Sequence, residues 1–171
     1  MKDEIYIIGS TAHSLINFRY DLIKQIKKKT SVVALCQDYD YSTYKKLKKI
    51  KVKYFYYGKK NFFLINEIFS LMNIFKLFFF KKNVKILSYT FRGNVYAGLA
   101  SLTNKRIKHY PMITGLGGIF LSKHDNMLSF LNYLFFKFLL KISLSKSRVI
   151  IFQNNDDKKF FEKKIIKKKS L

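Results

Sequence analysis

The chain has 171 residues, 49% of them hydrophobic, which suits one domain with a substantial core and excludes general disorder. Lys and Arg number 34 against 10 Asp and Glu, a net charge of +24, so the surface attracts anionic membrane, polyanions or phosphorylated substrates. A single cysteine, Cys36, excludes a disulfide framework and a cysteine metal site and suits a reducing cytosol.

The N-terminus carries Asp3 and Glu4 and runs at once into an apolar segment, unlike a signal peptide. Strand-like and helix-like segments then alternate. Glu4–Gly9 reads as a strand, Asn17–Lys29 as a helix, Val32–Cys36 as a strand and Tyr41–Ile50 as a weakly patterned helix. Val52–Tyr57 reads as a strand, Asn61–Lys82 as a long helix, Val84–Tyr89 as a strand and Gly93–Thr103 as a helix. Ile107–Ile113 reads as a strand despite Pro111, which removes a ladder donor. Asn126–Ser145, Arg148–Phe152 and Asp156–Lys169 close the series as helix, strand and helix. Six short apolar strands alternating with helices predict an α/β fold: a doubly wound, mostly parallel six-stranded Rossmann-like sheet with helices on both faces.

Two segments are apolar enough to suggest membrane spans. Phe62–Phe80 holds Glu67 and Lys76, and Met127–Leu144 holds Lys137 and Lys141. Central charges are expensive in a bilayer, so both read as helices buried on one side and able to touch lipid on the other. The run Lys163–Lys169 reads as a solvated helix end.

Polar residues cluster where strands end, the place where open α/β sheets bind ligands. After the first strand come Gly9, Ser10, Thr11, His13, Ser14, Asn17 and Arg19. Gly9 permits a sharp turn, and the hydroxyls with a helix N-terminus offer donors to an anion. An ordinary β–α turn with a cap explains the same residues. Arg19 and Arg92 stand out where lysine is the default, since arginine supplies a planar fork for phosphate or carboxylate; an ion pair such as Arg19 with Asp21 is the plainer account. Arg92 and Asn94 follow the strand ending at Tyr89. Thr114, Gly115, Gly117 and Gly118 let backbone approach a ligand, without the Gly-Lys-Ser/Thr of a P-loop, and His124 and Asp125 follow. Gln153, Asn154, Asn155, Asp156 and Asp157 include an N-cap, Asn154 or Asn155. His13, His109 and His124 lack metal-ligand spacing, His109 reads as a packed strand residue, and no general base is identifiable.

Taken in order, four segments resemble the N-terminal domain of family-4 glycosyltransferases of the GT-B fold, notably those of capsule, O-antigen and exopolysaccharide assembly. They are Gly9–Arg19, Phe91–Ser101, Ile113–Phe120 and Phe152–Asp157, and the resemblance covers essentially residues 1–171. It implies an acceptor-side domain, with a donor-binding domain outside this sequence carrying the phosphate clamp and paired glutamates. It implies sugar transfer, hexosyl or N-acetylhexosaminyl, from a nucleotide-sugar co-substrate to a lipid-linked saccharide. Neither cofactor nor metal is implied, and the donor phosphate can take the acceptor proton. Gly9, Ser10, His13, Ser14, Asn17, Arg19, Arg92, Asn94, Thr114, Gly115, Gly117, Gln153 and Asn154 would line the cleft and position the acceptor. The implied partners are the lipid-linked acceptor, the nucleotide-sugar, an anionic membrane surface and a donor-binding domain or chain, not nucleic acid. The implied location is cytoplasmic, peripheral on the inner face of the membrane. A non-catalytic membrane-docking subunit and a fragment that needs a separate donor-binding chain are the alternatives.

Overall fold

A computed structural model describes residues 4–58, 64–115, 120 and 126–166. Six strands form one parallel sheet: β1 (Glu4–Ile8), β2 (Ser31–Cys36), β3 (Lys53–Tyr56), β4 (Val84–Tyr89), β5 (Ile107–Ile113) and β6 (Ile151–Phe152). Their spatial order is β3-β2-β1-β4-β5-β6, a Rossmann-like doubly wound sheet whose direction of winding reverses between β1 and β4. The helices are α1 (Ala12–Lys29), α2 (Tyr41–Lys49), α3 (Leu64–Phe79), α4 (Phe91–Thr103), α5 (Met127–Leu144) and α6 (Asn155–Lys164).

Alternation along the strands splits the core in two. Tyr6, Ile8, Val33, Leu35 and Ile86 face a layer that includes α3, α4 and α5, while Ile7, Val32, Ala34 and Cys36 face α1 and α2. Both faces are covered, which is why these strands read as continuous apolar runs. β3 is an edge strand, and its Lys53, Phe55 and Tyr56 are exposed. Helix starts are set by side-chain oxygens: Thr11 caps α1, Asp40 caps α2 and Asn154 caps α6. Asn126 caps α5 in a reciprocal pair with Ser129. Helix α4 is buried on most sides, and a Cβ on Gly98 would stand 2.2 Å from the Ser143 carbonyl oxygen, so glycine sets how closely α4 and α5 cross.

Several expected boundaries move. Helix α1 begins at Ala12, not Asn17, so His13, Ser14 and Asn17 lie on its first turns. The extra turn is supported by Thr11 and by the Asp38 carboxylate, which accepts from the Ala12 N–H at 2.7 Å. β6 is confined to Ile151–Phe152. Pro111 sits inside an internal strand, opposite Ser88 of β4. The His109 carbonyl accepts from Arg148 N–H at 2.9 Å, so backbone alternation turns Pro111 toward the β6 side as well. β6 pairs only with Met112 and Ile113, so the missing donor is not needed there. Helices α3 and α6 end at Phe79 and Lys164, short of Lys82 and Lys169. The expected start of α3 at Asn61, and Gly117, Gly118, His124, Asp125 and Lys167–Lys169, lie outside the described residues.

Candidate functional site

At the reversal point, where a ligand crevice is expected between β1 and β4, the chain has placed its own side chain. Tyr89, the last residue of β4, is 2% exposed and lies across Gly9, where a Cβ would be 2.3 Å from the ring. Its hydroxyl is 3.0 Å from Ser14 Oγ, and the Arg19 guanidinium carbon stands 5.0 Å from the ring centroid. Arg19 is therefore a stacking group, and its Nη1 donates to the Phe18 carbonyl at 2.8 Å. The Gly9 carbonyl accepts from Tyr57 Oη at 2.8 Å and its N–H donates to the Leu35 carbonyl. The Ser10 carbonyl accepts from the Gln37 N–H.

The N-terminus of α1 is likewise occupied from within. Asp38 takes the Ala12 N–H, and Thr11 Oγ1 takes the Ser14 N–H at 3.2 Å. A carboxylate at this helix end satisfies what an anion would, so the Gly9–Ser14 segment is a closed β–α turn. His13 and Asn17 meet each other on the exposed side of α1, with Asn17 Nδ2 2.7 Å from His13 Nε2.

Open space lies one strand further along. A cavity of about 240 Å³ sits at the carboxyl ends of β4 and β5. Thr90, Phe91 and Asn94 form one wall, Ile113, Thr114 and Gly115 another, and Phe120, Leu140 and Phe161 close it. Three of the residues expected to line a cleft, Asn94, Thr114 and Gly115, are thus brought together. Arg92 is on the same helical turn as Asn94 but engages Glu67, with 3.4 Å between Nη2 and Oε1. Gln153 and Asn154 are exposed beyond β6, and Asn154 is spent on capping: its Oδ1 accepts from Asp157 N–H at 2.7 Å.

Asn94 is held by a buried polar chain. Ser88 Oγ donates to Asn94 Oδ1 at 2.7 Å, and Asn94 Nδ2 donates to the Met112 carbonyl at 3.1 Å. Ser88 has one proton, so it accepts from His109 Nε2 at 2.7 Å. His109 Nδ1 is then the acceptor facing Ser147 Oγ at 3.4 Å. Burial lowers the His109 pKa from 6.5 to about 3, so the ring is neutral. The expectation that His109 is packed holds, and its task is to fix the amide at the cavity wall. Among the described residues, the second Nδ2 hydrogen of Asn94 has no acceptor.

Thr90 joins this wall under strain. Its φ is 64° and its ψ 157°, a region that β-branched residues avoid. It caps α4 in that conformation, its Oγ1 accepting weakly from Gly93 N–H at 3.4 Å. Gly115, opposite, has φ 139° and open space where a Cβ would go, so glycine is needed there for backbone conformation.

Sequence reasoning missed Tyr89, Thr90, Ser88 and Glu67. Glu67 gathers Arg92, the Tyr96 hydroxyl and Gln37 Nε2, the last at 3.3 Å. Its signal was available: it is the one carboxylate in a strongly apolar helix. The Tyr57, Tyr89 and Tyr96 phenols are all raised by burial, so none supplies a base near neutrality. Among the described residues, no group of His, Cys, Asp and Glu is placed to hold a metal ion.

Beside the cavity the molecule exposes apolar surface. Ile65, Ile68, Phe69 and Met72 share one face of α3, and Leu131, Phe135 and Phe138 share one face of α5. Met127 and Leu128 extend the second patch at the helix start. Helix α5 is long and apolar enough to cross a membrane, with mean hydropathy 1.5 over Met127–Leu144, yet Leu140, Ser143 and Leu144 pack inward. Helix α5 meets the cavity through Leu140, and its Phe136 and Tyr133 stand against the cavity residues Phe91 and Phe120 at 5.4 and 5.8 Å between ring centroids. No protein-family model matches the chain, and no curated protein matches it.

Proposed function

We propose that this domain is the acceptor-binding half of a glycosyltransferase, transferring a sugar from a nucleotide-sugar to a lipid-linked saccharide in surface polysaccharide biosynthesis. The observation that carries the reading is that α5 lines the cavity with Leu140 on one side and exposes Leu131, Phe135 and Phe138 on the other, while α3, tied to α4 by Glu67 and Arg92, exposes a second apolar face. A saccharide head needs a polar-lined recess, and its lipid needs an apolar approach. This rim offers both, under a net charge of +24 that favours an anionic membrane.

In this reading the chain's residues bind and position. Asn94 donates to a sugar oxygen, Thr90 and Thr114 offer hydroxyls, and Phe91 and Phe120 supply faces for a ring. The nucleotide-sugar is held mainly by a second Rossmann-like domain or chain, and the enzyme works peripherally on the inner face of the membrane. A non-catalytic docking role is favoured by the same apolar faces, and differs in that the cavity would hold no saccharide.

The test is co-sedimentation with anionic vesicles, with and without a polyprenyl-diphosphate-linked disaccharide in the lipid. The proposal expects binding to anionic vesicles at moderate salt and tighter binding when the saccharide is present. Equal binding to both vesicle types leaves the docking role alone. No binding to either overturns the membrane-acceptor reading.

A further inference from the structure

The geometry points to a second binding element on the same rim, a tyrosine platform that stacks the distal pyranose rings of an anionic glycan acceptor; this rests on the acceptor-binding reading. Tyr39 lies at its centre. Its ring stacks on Tyr54 at 5.9 Å and 28°, and meets Tyr44 at 6.4 Å and Tyr56 at 5.8 Å. Tyr41 stacks on Tyr44 at 6.3 Å and 26°. Tyr54 anchors the group from below: it is 9% exposed and its hydroxyl donates to the Asp38 carbonyl at 2.9 Å. The outer rings remain open, with Tyr39 52%, Tyr41 60% and Tyr56 61% exposed. Such rings present an apolar face and a polar tip, the character of side chains used at wet interfaces.

Charge selects the partner. Lys45, Lys46 and Lys48 are exposed on α2, and Lys49, Lys51 and Lys53 extend the positive surface toward the amino end of β3. Lys45 Nζ stands 5.1 Å from the Tyr41 centroid and Lys48 Nζ 5.6 Å from that of Tyr44. The two carboxylates within the cluster carry charge but are turned onto helix starts, Asp38 onto Ala12 N–H and Asp40 onto Thr43 N–H, where the helix N-termini partly offset it. The patch therefore suits a ligand with flat apolar ring faces and repeated carboxylates, which a uronic-acid chain has.

Position links the platform to the cavity. Tyr39 and Tyr56 stand at the carboxyl ends of β2 and β3, and the cavity at those of β4 and β5. Three strand spacings separate them, roughly 14 Å. A chain of several sugars lying along the rim spans that distance, passing over the plugged reversal point at Tyr89.

The experiment is fluorescence anisotropy of a fluorescein-labelled octagalacturonate with the full chain at two salt concentrations. Binding of the octamer tighter than of neutral maltooctaose is expected, and weaker binding of the digalacturonate. Tyr39→Ala with Tyr41→Ala is expected to weaken octamer binding about ten-fold, in keeping with truncation of aromatic anchors. Both rings are more than half exposed, so circular dichroism is expected to stay as in the parent while the melting temperature falls by a few degrees as the ring contacts are lost. Three results overturn the platform: no octamer binding at low salt, parental affinity in the double variant, or displacement of the octamer more readily by a thymidine oligonucleotide of equal charge than by unlabelled octamer. The octamer carries no lipid, so these failures are distinct from failure in the vesicle experiment.

Discussion

Gly9 and Tyr89 are complementary across the reversal point of the sheet: the ring of one lies where a side chain on the other would begin, 2.3 Å from a Cβ at Gly9. The ring is 2% exposed and tied to Ser14, so it has little room to yield. Gly9→Ala is therefore expected to destabilise the domain by about 1–3 kcal/mol, the cost of overpacking. In a Tyr89→Leu background the same substitution should cost less. Urea unfolding of the four proteins in the cycle measures the coupling, and additive effects would mean the ring and the glycine do not press on each other.

Thr90 gives the opposite expectation. Its φ of 64° with ψ 157° strains a β-branched residue at the cavity wall. Such a conformation costs on the order of 1–3 kcal/mol, while replacing a threonine cap by glycine costs only a few tenths. Thr90→Gly should thus raise stability by about 1 kcal/mol, seen as a higher urea midpoint at unchanged slope. It should also weaken retention of a saccharide in the cavity, because the hydroxyl and a fixed wall are lost together. A stability gain without a binding loss would separate the strain from the site.

The layout of the fold was legible because both faces of the sheet are covered. Strands such as Val32–Cys36 are apolar at every position, and the helices between them could only cross over on one side or the other. The meeting of Asn94, Thr114 and Gly115 at one cavity has a related reason, since each follows an apolar strand of the same sheet. The plug at Tyr89 was not legible. Tyrosine at a strand end looks like any core residue, and its role depends on a glycine just past a different strand. Nor was the start of α1, whose first N–H is taken by Asp38 from beyond β2. The strain at Thr90 is a backbone property with no local signature in residue type. Local patterns carry period and burial; they do not carry which distant side chain fills a gap.

His109 makes stability depend on pH. Its folded pKa, lowered by burial to about 3, lies below the ordinary value of 6.5. The unfolded chain therefore binds more protons than the folded one between those values, and stability rises with pH across that window. The contribution is fully present above about pH 6.5 and is lost as pH falls toward 3. His109→Gln keeps a side-chain donor for Ser88 and removes the titration. Urea midpoints measured from pH 7 to 4 should fall less steeply in the variant, once the common carboxylate contribution is subtracted. An identical slope in both proteins would mean that the imidazole can be protonated in place.

The apolar face of α5 predicts how the domain meets lipid. Leu131, Phe135 and Phe138 recur at helical spacing and are 51%, 58% and 62% exposed. Their opposite side packs through Leu140 and Leu144 into the core, so the exposed stripe can be changed without opening the interior. Leu131→Ser with Phe135→Ser removes two large apolar groups, each worth up to about 1.5–3 kcal/mol when fully buried. Partition onto anionic vesicles should fall by at least about ten-fold even if insertion is partial. Raising the salt should weaken binding of the parent and the variant alike, because the lysines are untouched. Unchanged vesicle binding in the serine variant, with salt sensitivity retained, would assign the attraction to charge alone and remove the apolar stripe from the membrane contact.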